Sequence, residues 1–238
     1  MDVHIRKLRA RFELSTEEER FIRDSVTEIR DHAADETFVR AGEELSQSRV
    51  LLSGFVGRHK DLPSGTRQIT ELSLPGDWTD LHGFTLKRLD HNVAALSPCR
   101  VALVPHSRLE LMMREHPRLT RIYWFGTNLD AAIHREWELC LGRRPGISRM
   151  AHLFCETFVR LDLVGLVQDD GYDLPLNQTE LGECLGLTAV HVNRTLQQLR
   201  ESGAIDFRGG RVMIRDMKAL TSIAEFDPTY LYLGRQSF

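Results

Sequence analysis

The chain has few cysteines, and no two of them are close together. Cys99, Cys140, Cys155 and Cys184 are the four among 238 residues, and no Cys-x-x-Cys pair occurs. Structural zinc and iron–sulfur sites draw on closely spaced ligands, so none is read from these positions. In a reducing compartment such thiols serve as small apolar side chains. No run of 18 uncharged apolar residues is present, which argues against a membrane span. The first residues, Met1-Asp2-Val3-His4-Ile5-Arg6-Lys7, lack the apolar stretch of a signal peptide, and the expected location is the cytoplasm. Gly-x-Ser-x-Gly, a phosphate-binding glycine loop and His-Glu-x-x-His are all absent. The acidic residues are plentiful but scattered, so no carboxylate pair stands out. The expectation is that the protein is not an enzyme.

There is also no large charge of one sign, since 31 basic residues oppose 34 acidic ones for a formal net charge of -3. That balance hides a local bias. Between Thr188 and Arg215 lie five arginines (194, 200, 208, 211 and 215) against Glu201 and Asp206. A small basic face on an acidic protein suits specific, dimer-dependent DNA binding better than a non-specific coat. Hydrophobic residues make up 42% of the chain, enough for packed cores, and the length suits two domains or one large one.

The first 35 residues read as helical. Leu14-Ser15-Thr16-Glu17-Glu18-Glu19 reads as a helix start with a hydroxyl cap and acids in the first turn, and Phe21, Ile22, Val26 and Ile29 follow at helical spacing. From Thr37 to about Val104 the texture changes. Short apolar runs such as Val50-Leu51-Leu52 and Val101-Ala102-Leu103-Val104 alternate with turn signals such as Pro63-Ser64-Gly65 and Leu74-Pro75-Gly76-Asp77. Many short strands at this spacing predict a small sandwich or barrel. From His106 the pattern is helical again. Pro117 suits a helix start, and Gly142 suits its end. Within that helix Leu119, Ile122, Gly126, Leu129 and Ile133 form a stripe at 3-and-4 spacing, which serves either to pair two copies or to pack on its own domain. Ile147 to Val167 predicts a further helix, and Asp169-Asp170-Gly171-Tyr172 a polar turn.

The informative stretch runs from Leu174 to Gly203. Asn177 caps a helix with Glu180 as its reciprocal partner, and Gly182 is small where two helices cross. Gly186 supplies a positive φ for a sharp turn, and Thr188 caps a second helix whose inward face is Val192, Leu196 and Leu199. Its outward face carries Val190, His191, Asn193, Arg194 and Gln197. Arg194 suits the O6 and N7 of guanine, His191 and Asn193 suit base edges, and Val190 suits a thymine methyl. Thr188 and Gln178 suit phosphate oxygens. Two short strands around Gly209-Gly210 follow as a wing, where Arg208 or Arg211 could meet phosphate.

The run Leu185-Gly-Leu-Thr-Ala-Val-His-Val-Asn-Arg-Thr-Leu-Gln-Gln-Leu-Arg200 resembles the CRP/FNR family of bacterial transcription regulators. Arg40-Ala41-Gly42-Glu43 and Leu74-Pro75-Gly76-Asp77 are weaker matches, and the likeness spans about residues 15–225. The resemblance implies an α+β chain in three parts. These are a β-roll sensor domain with an N-terminal helix (1–115), a dimerisation helix and hinge (116–145), and a winged-helix DNA-binding domain (146–238). It implies a homodimer on near-palindromic double-stranded DNA, acting beside RNA polymerase. Arg194 matches the family's base-reading arginine, whereas Val190 stands where many members have an acid, so the base preference should differ. The alternative is a cyclic-nucleotide- or ligand-binding signalling or interaction module that does not read DNA.

For the effector, cyclic-nucleotide-binding relatives use a Gly-Glu pair for ribose, which Gly76-Asp77 resembles, and an Arg-Ser or Arg-Thr pair for phosphate. The second pair is missing, with Lys87 and Arg88 nearby but followed by Asp90. cAMP or cGMP is therefore not expected. No cysteine precedes Cys99, so the N-terminal iron–sulfur cluster of oxygen-sensing relatives is not expected either. Ten histidines leave haem open. His152-x-x-Cys155 reads as core packing, and no metal site or resident cofactor is assigned. Cys184, inside the first helix of the DNA motif, is either a redox-sensitive thiol or a buried inert one.

Overall fold

A computed structural model of the chain describes residues 1–236. The chain divides into two compact units. One holds Met1–Lys60, Glu71–Ala131 and the chain's end from Leu233; the other holds Asp61–Thr70 and Ala132–Tyr232.

The first unit opens with helices α1 (Asp2–Arg9) and α2 (Thr16–Asp24). Ser15 caps α2 in a full capping box with Glu18, as its sequence predicts. The helical reading of the first 35 residues fails beyond Asp24. Glu28–His32 is strand β1, not helix, and pairs antiparallel with β7 (Cys99–Pro105) in the register Glu28↔Leu103 to His32↔Cys99. Tertiary pairing overrides the local pattern here, and Ile29 faces outward, half exposed. The other strands are β2 (Thr37–Val39), β3 (Gln47–Ser53), β4 (Val56–Asp61), β5 (Arg67–Ser73) and β6 (Asn92–Ala95), with the short helix α3 (Gly83–Leu86) after β5.

The strands form a three-stranded sheet in the order β1-β7-β3 and a four-stranded sheet in the order β2-β6-β4-β5. Val39, Val56, Val93 and Ala95 from one sheet meet Leu51, Val101 and Leu103 from the other in a single buried cluster. Full burial of a Val or Leu side chain contributes about 1.5–3 kcal/mol. This is the small sandwich expected from the alternating strands and turns, and the β-roll that the family resemblance implies.

Helix α4 (His106–Glu115) leads into α5, which runs for 27 residues from Pro117 to Arg143. Gly142 lies inside this helix rather than ending it. Leu119, Ile122, Leu129 and Ile133 are all buried within the single chain. Leu119 and Ile122 join Ile5, Leu8, Phe12 and Ile22 of the N-terminal helices and the loop between them in a second core cluster. The apolar stripe of α5 is thus largely covered by the chain itself, with Gly126 half-buried. The outward residues of α5 recur at the same 3-and-4 spacing: Arg121, Trp124, Asn128, Ala131 and Arg135 are exposed, Trp124 to 67%.

The second unit contains the end of α5, then α6 (Gly146–Asp162), β8 (Gly171–Asp173), α7 (Gln178–Leu185), α8 (Ala189–Glu201), β9 (Ile205–Arg208), β10 (Arg211–Ile214) and α9 (Met217–Ala224). The wing is a three-stranded sheet in the order β8-β10-β9. The segment read as a polar turn runs into its edge strand: Gly171 and Tyr172 open β8, which pairs with β10. No helix among the described residues is long and apolar enough to cross a membrane.

Candidate nucleic-acid interface

Helix α7 begins where its sequence places it. Asn177 accepts from the backbone N–H groups of Thr179 (2.9 Å) and Glu180 (3.0 Å), and Glu180 accepts in return from Asn177 N at 2.7 Å. The helix ends at Gly186, whose φ of +62° closes the turn in the left-handed region. A Cβ on Gly182 would stand 2.5 Å from the Leu187 carbonyl oxygen, so only glycine allows the chain to cross so close. The terminal carbonyls of α7 find donors outside the helix. Gln68 Nε2 donates to Glu183 O at 2.5 Å, and Arg149 Nη1 donates to Leu185 O at 2.9 Å.

Thr188 caps α8, accepting from His191 N at 3.4 Å. Val192, Leu196 and Leu199 are buried, which turns the other face of α8 to solvent. On that face stand Val190, His191, Asn193, Arg194 and Gln197, all exposed, with Thr188 at the helix start. Val190 is 77% exposed, a branched apolar side chain left almost wholly to water. Several polar side chains are held in place. Asn193 Nδ2 donates to Gln178 Oε1 at 2.8 Å, Thr188 Oγ1 lies 3.1 Å from His191 Nδ1, and Gln197 Nε2 donates to Glu201 Oε1 at 2.8 Å. Arg194 has no hydrogen-bond or ion-pair partner among the described residues. An exposed guanidinium without a partner is free to meet an acceptor from outside.

The two wing arginines differ. Arg208 is exposed and pairs with Asp206 on its own strand, at 3.0 Å. Arg211 is more engaged, donating to Asp173 Oδ1 at 3.0 Å and to Gln168 O at 3.1 Å, which ties β10 to β8 and the turn before it. Arg211 therefore braces the wing.

In the β-roll, Gly76 and Asp77 lie beneath α1. His4 Nδ1 is 2.7 Å from Gly76 O, and a Cβ on Gly76 would meet Val3 O at 3.1 Å. Asp77 accepts from Leu74 N at 2.8 Å and pairs with Lys7. Lys87 Nζ lies over the Phe84 ring at 5.0 Å, and Arg88 donates to Glu44 and to Gly42 O. Arg58 instead forms the charged centre of the roll. It donates to Glu71 Oε2 at 2.7 Å, to Asp130 Oδ2 at 3.3 Å, and to the carbonyls of Thr79 and Trp78. Burial, with Glu71 alongside, raises the Asp130 carboxyl above its ordinary range against the pull of Arg58. Sequence reasoning missed this network, because Arg58, Glu71 and Asp130 share no local motif. A hollow at the same end is lined by His4, Lys7, Gly76, Trp78, Tyr123 and Gly126 among others. The indole Nε1 of Trp78 is buried without a hydrogen-bond partner among the described residues.

All four cysteines are free and buried. Burial pushes the Cys184 thiol well above its ordinary range, which suppresses the thiolate that oxidants attack. His152 and Cys155 are both in the core, and burial pushes Cys155 up to about 12.

Comparison with known proteins matches this architecture on both sides. A cyclic nucleotide-binding domain model matches residues 29–116, and a Crp-like helix-turn-helix domain model matches residues 148–223. The nitrogen fixation regulation protein FixK of Azorhizobium caulinodans is 30% identical over 175 residues, 72% of this chain and 68% of that protein. The transcriptional activator protein FnrL of Cereibacter sphaeroides is 27% identical over 210 residues, 86% of this chain and 83% of that one. The solved structure of FixK2 from Bradyrhizobium japonicum is similar with a TM-score of 0.76 and 27% identity, covering 83% of this chain and 97% of that chain. With its β-roll, long helix and winged helix-turn-helix in that order, the chain belongs to the CRP/FNR family of DNA-binding bacterial transcription regulators.

Proposed function

We propose that the protein works as a homodimer on a near-palindromic operator and responds to a small effector through its β-roll. The observation that carries this reading is the free face of α8, where Arg194 stands exposed and unpartnered among the described residues, beside His191 and Asn193. Arg194 reads guanine, Asn193 and His191 read neighbouring base edges, and Val190 contacts a thymine methyl. Gln178, Thr188 and Arg208 grip the phosphates. Two such helices enter successive major grooves about 34 Å apart. The second copy pairs along the exposed stripe of α5, with Trp124 as its large apolar member, because Leu119, Ile122, Leu129 and Ile133 are already buried inside one chain. The activator name carried by FnrL supports an outcome exerted on RNA polymerase in the cytoplasm.

The effector is not a cyclic nucleotide on this reading. Asp77, the residue that would take a ribose, is held by Lys7 and Leu74 N, and the arginine at the centre of the roll already holds two carboxylates. An added phosphate would have to compete with both. The hollow at Trp78 and Tyr123, lined mostly by apolar side chains, is the better place for an effector. A signal there reaches DNA as a change in how the two copies pair.

Selection of bound duplexes from a random pool tests the reading. It predicts an enriched two-fold symmetric sequence, bound by two chains in sedimentation. Enrichment of no sequence, or retention of duplex in proportion to length alone, would leave only an interaction module.

A further inference from the structure

Three donors of different chemistry meet where α5 passes into α6. Glu136 and Cys140 are four residues apart on one face of α5, and His152 faces them from α6. One carboxylate oxygen, the Cys140 Sγ and a ring nitrogen of His152 all lie within 4.8 Å of one another. Spacing along the chain sets His152 beside Cys155; the fold sets it against Cys140 instead. A second observation singles the place out. His152 is 1% exposed, yet its Nε2 has no hydrogen-bond partner among the described residues, although it sits 3.4 Å from Glu136 Oε1. Such a buried polar atom is costly unless something else engages it.

We infer that Glu136, Cys140 and His152 form a binding site for a divalent cation of the zinc class. Tetrahedral zinc takes mixed nitrogen, sulfur and oxygen donors at about 2.0–2.3 Å, so the three need only close by small side-chain rotations. A guanidinium holds the place of the cation here. Arg144 Nη1 donates to Glu136 Oε1 at 2.7 Å and to Cys140 Sγ at 3.1 Å. Arg144 also has somewhere to go, since its Nε lies 3.9 Å from Glu225 Oε2, and that carboxylate is mostly exposed. The charges balance in both states. Glu136 with Arg144 is neutral, and so is a divalent cation with Glu136, the Cys140 thiolate and neutral His152. Burial keeps the imidazole uncharged at neutral pH and pushes the Cys140 thiol up to about 11, so cation uptake releases one proton from sulfur to solvent. Water completes the fourth position. The bound cation would pin the end of α5 to α6, the helix on which the DNA-binding motif packs.

The test is titration of the reduced, chelator-treated full chain with Co2+, read by absorption. One equivalent should give visible ligand-field bands of a tetrahedral site and a near-ultraviolet thiolate charge-transfer band, both removed by Zn2+. Cys140→Ser should lose the charge-transfer band while Cys155→Ser keeps it. His152→Gln should weaken binding by about 10–100-fold or more. Arg144→Gln should tighten it, because the competing cation is gone. A wild-type chain with no saturable thiolate band overturns the site, whether or not any variant folds. So does a band that survives Cys140→Ser, or an Arg144→Gln chain that binds Co2+ no better than wild type.

Discussion

Asn193 Nδ2 donates to Gln178 Oε1 at 2.8 Å, joining the outward face of α8 to the first residue of α7. The two side chains come from different helices and steady one another before any DNA arrives. One amide hydrogen and the carbonyl oxygen of Asn193 remain available for a base. Gln178→Ala should therefore weaken operator binding and also blur the preference at the base Asn193 faces. In a double-mutant cycle on operator affinity, Gln178→Ala and Asn193→Ala should couple by about 0.5–1 kcal/mol. Strict additivity would mean that the contact with Gln178 does nothing to place Asn193 on its base.

Gly182→Ala tests the close crossing of the helix-turn-helix. The new Cβ would fall 2.5 Å from the Leu187 carbonyl oxygen, which is backbone and cannot swing away. Alanine's better helix propensity, worth about 1 kcal/mol, opposes a similar or larger overpacking cost of about 1–3 kcal/mol. The expected outcome is a lower melting temperature and weaker operator binding. Gly142→Ala is the control, since nothing among the described residues lies within 4 Å of its Cβ position.

His4 makes stability pH-dependent. It is buried, with Nδ1 2.7 Å from Gly76 O and Nε2 3.2 Å from Tyr123 Oη, and Lys7, Asp77 and the chain's amino group nearby. Burial lowers its pKa from 6.5 to about 4. The unfolded chain therefore binds a proton at a pH where the folded chain does not. The stabilisation is complete above about pH 6.5 and is lost as pH falls towards 4. At about 1.4 kcal/mol per pH unit the full effect is about 3 kcal/mol. Denaturant unfolding between pH 4 and 7 should show a shallower decline for His4→Asn than for wild type. Parallel curves would assign the acid sensitivity elsewhere. His152, shifted the same way by burial, supplies part of what remains.

Trp124→Glu tests the pairing face of α5. Trp124 is 67% exposed, so little packing within a single chain is lost with it. Sedimentation should show a folded monomer with greatly reduced operator binding. An unchanged dimer would place the interface elsewhere.

Local signals and long-range ones were not equally legible in the sequence. Asn177, Gly182, Gly186 and Thr188 act through neighbours within a few residues, so the helix-turn-helix could be read directly. The exposed face of α8 followed from its buried face, because a helix with Val192, Leu196 and Leu199 inside must turn Asn193 and Arg194 out. Strand β1 was missed because Glu28–His32 is mostly polar and owes its shape to β7, about 70 residues away. The stripe of α5 was legible as a stripe, but whether its partner was a second copy or α1 was not. The same limit hid Arg58 with Glu71 and Asp130, and Cys140 with His152. Such groupings depend on which elements pack together, and spacing along the chain carries no trace of that.

The most direct measurement is equilibrium binding of wild type and Arg194→Ala to the selected operator and to each of its single-base variants. Loss of one base-specific contact should cost about 1–3 kcal/mol, confined to one guanine position in each half-site, with discrimination there relaxed. Equal weakening on every sequence, with the base preferences unchanged, would contradict the assignment of α8 as the helix that reads DNA.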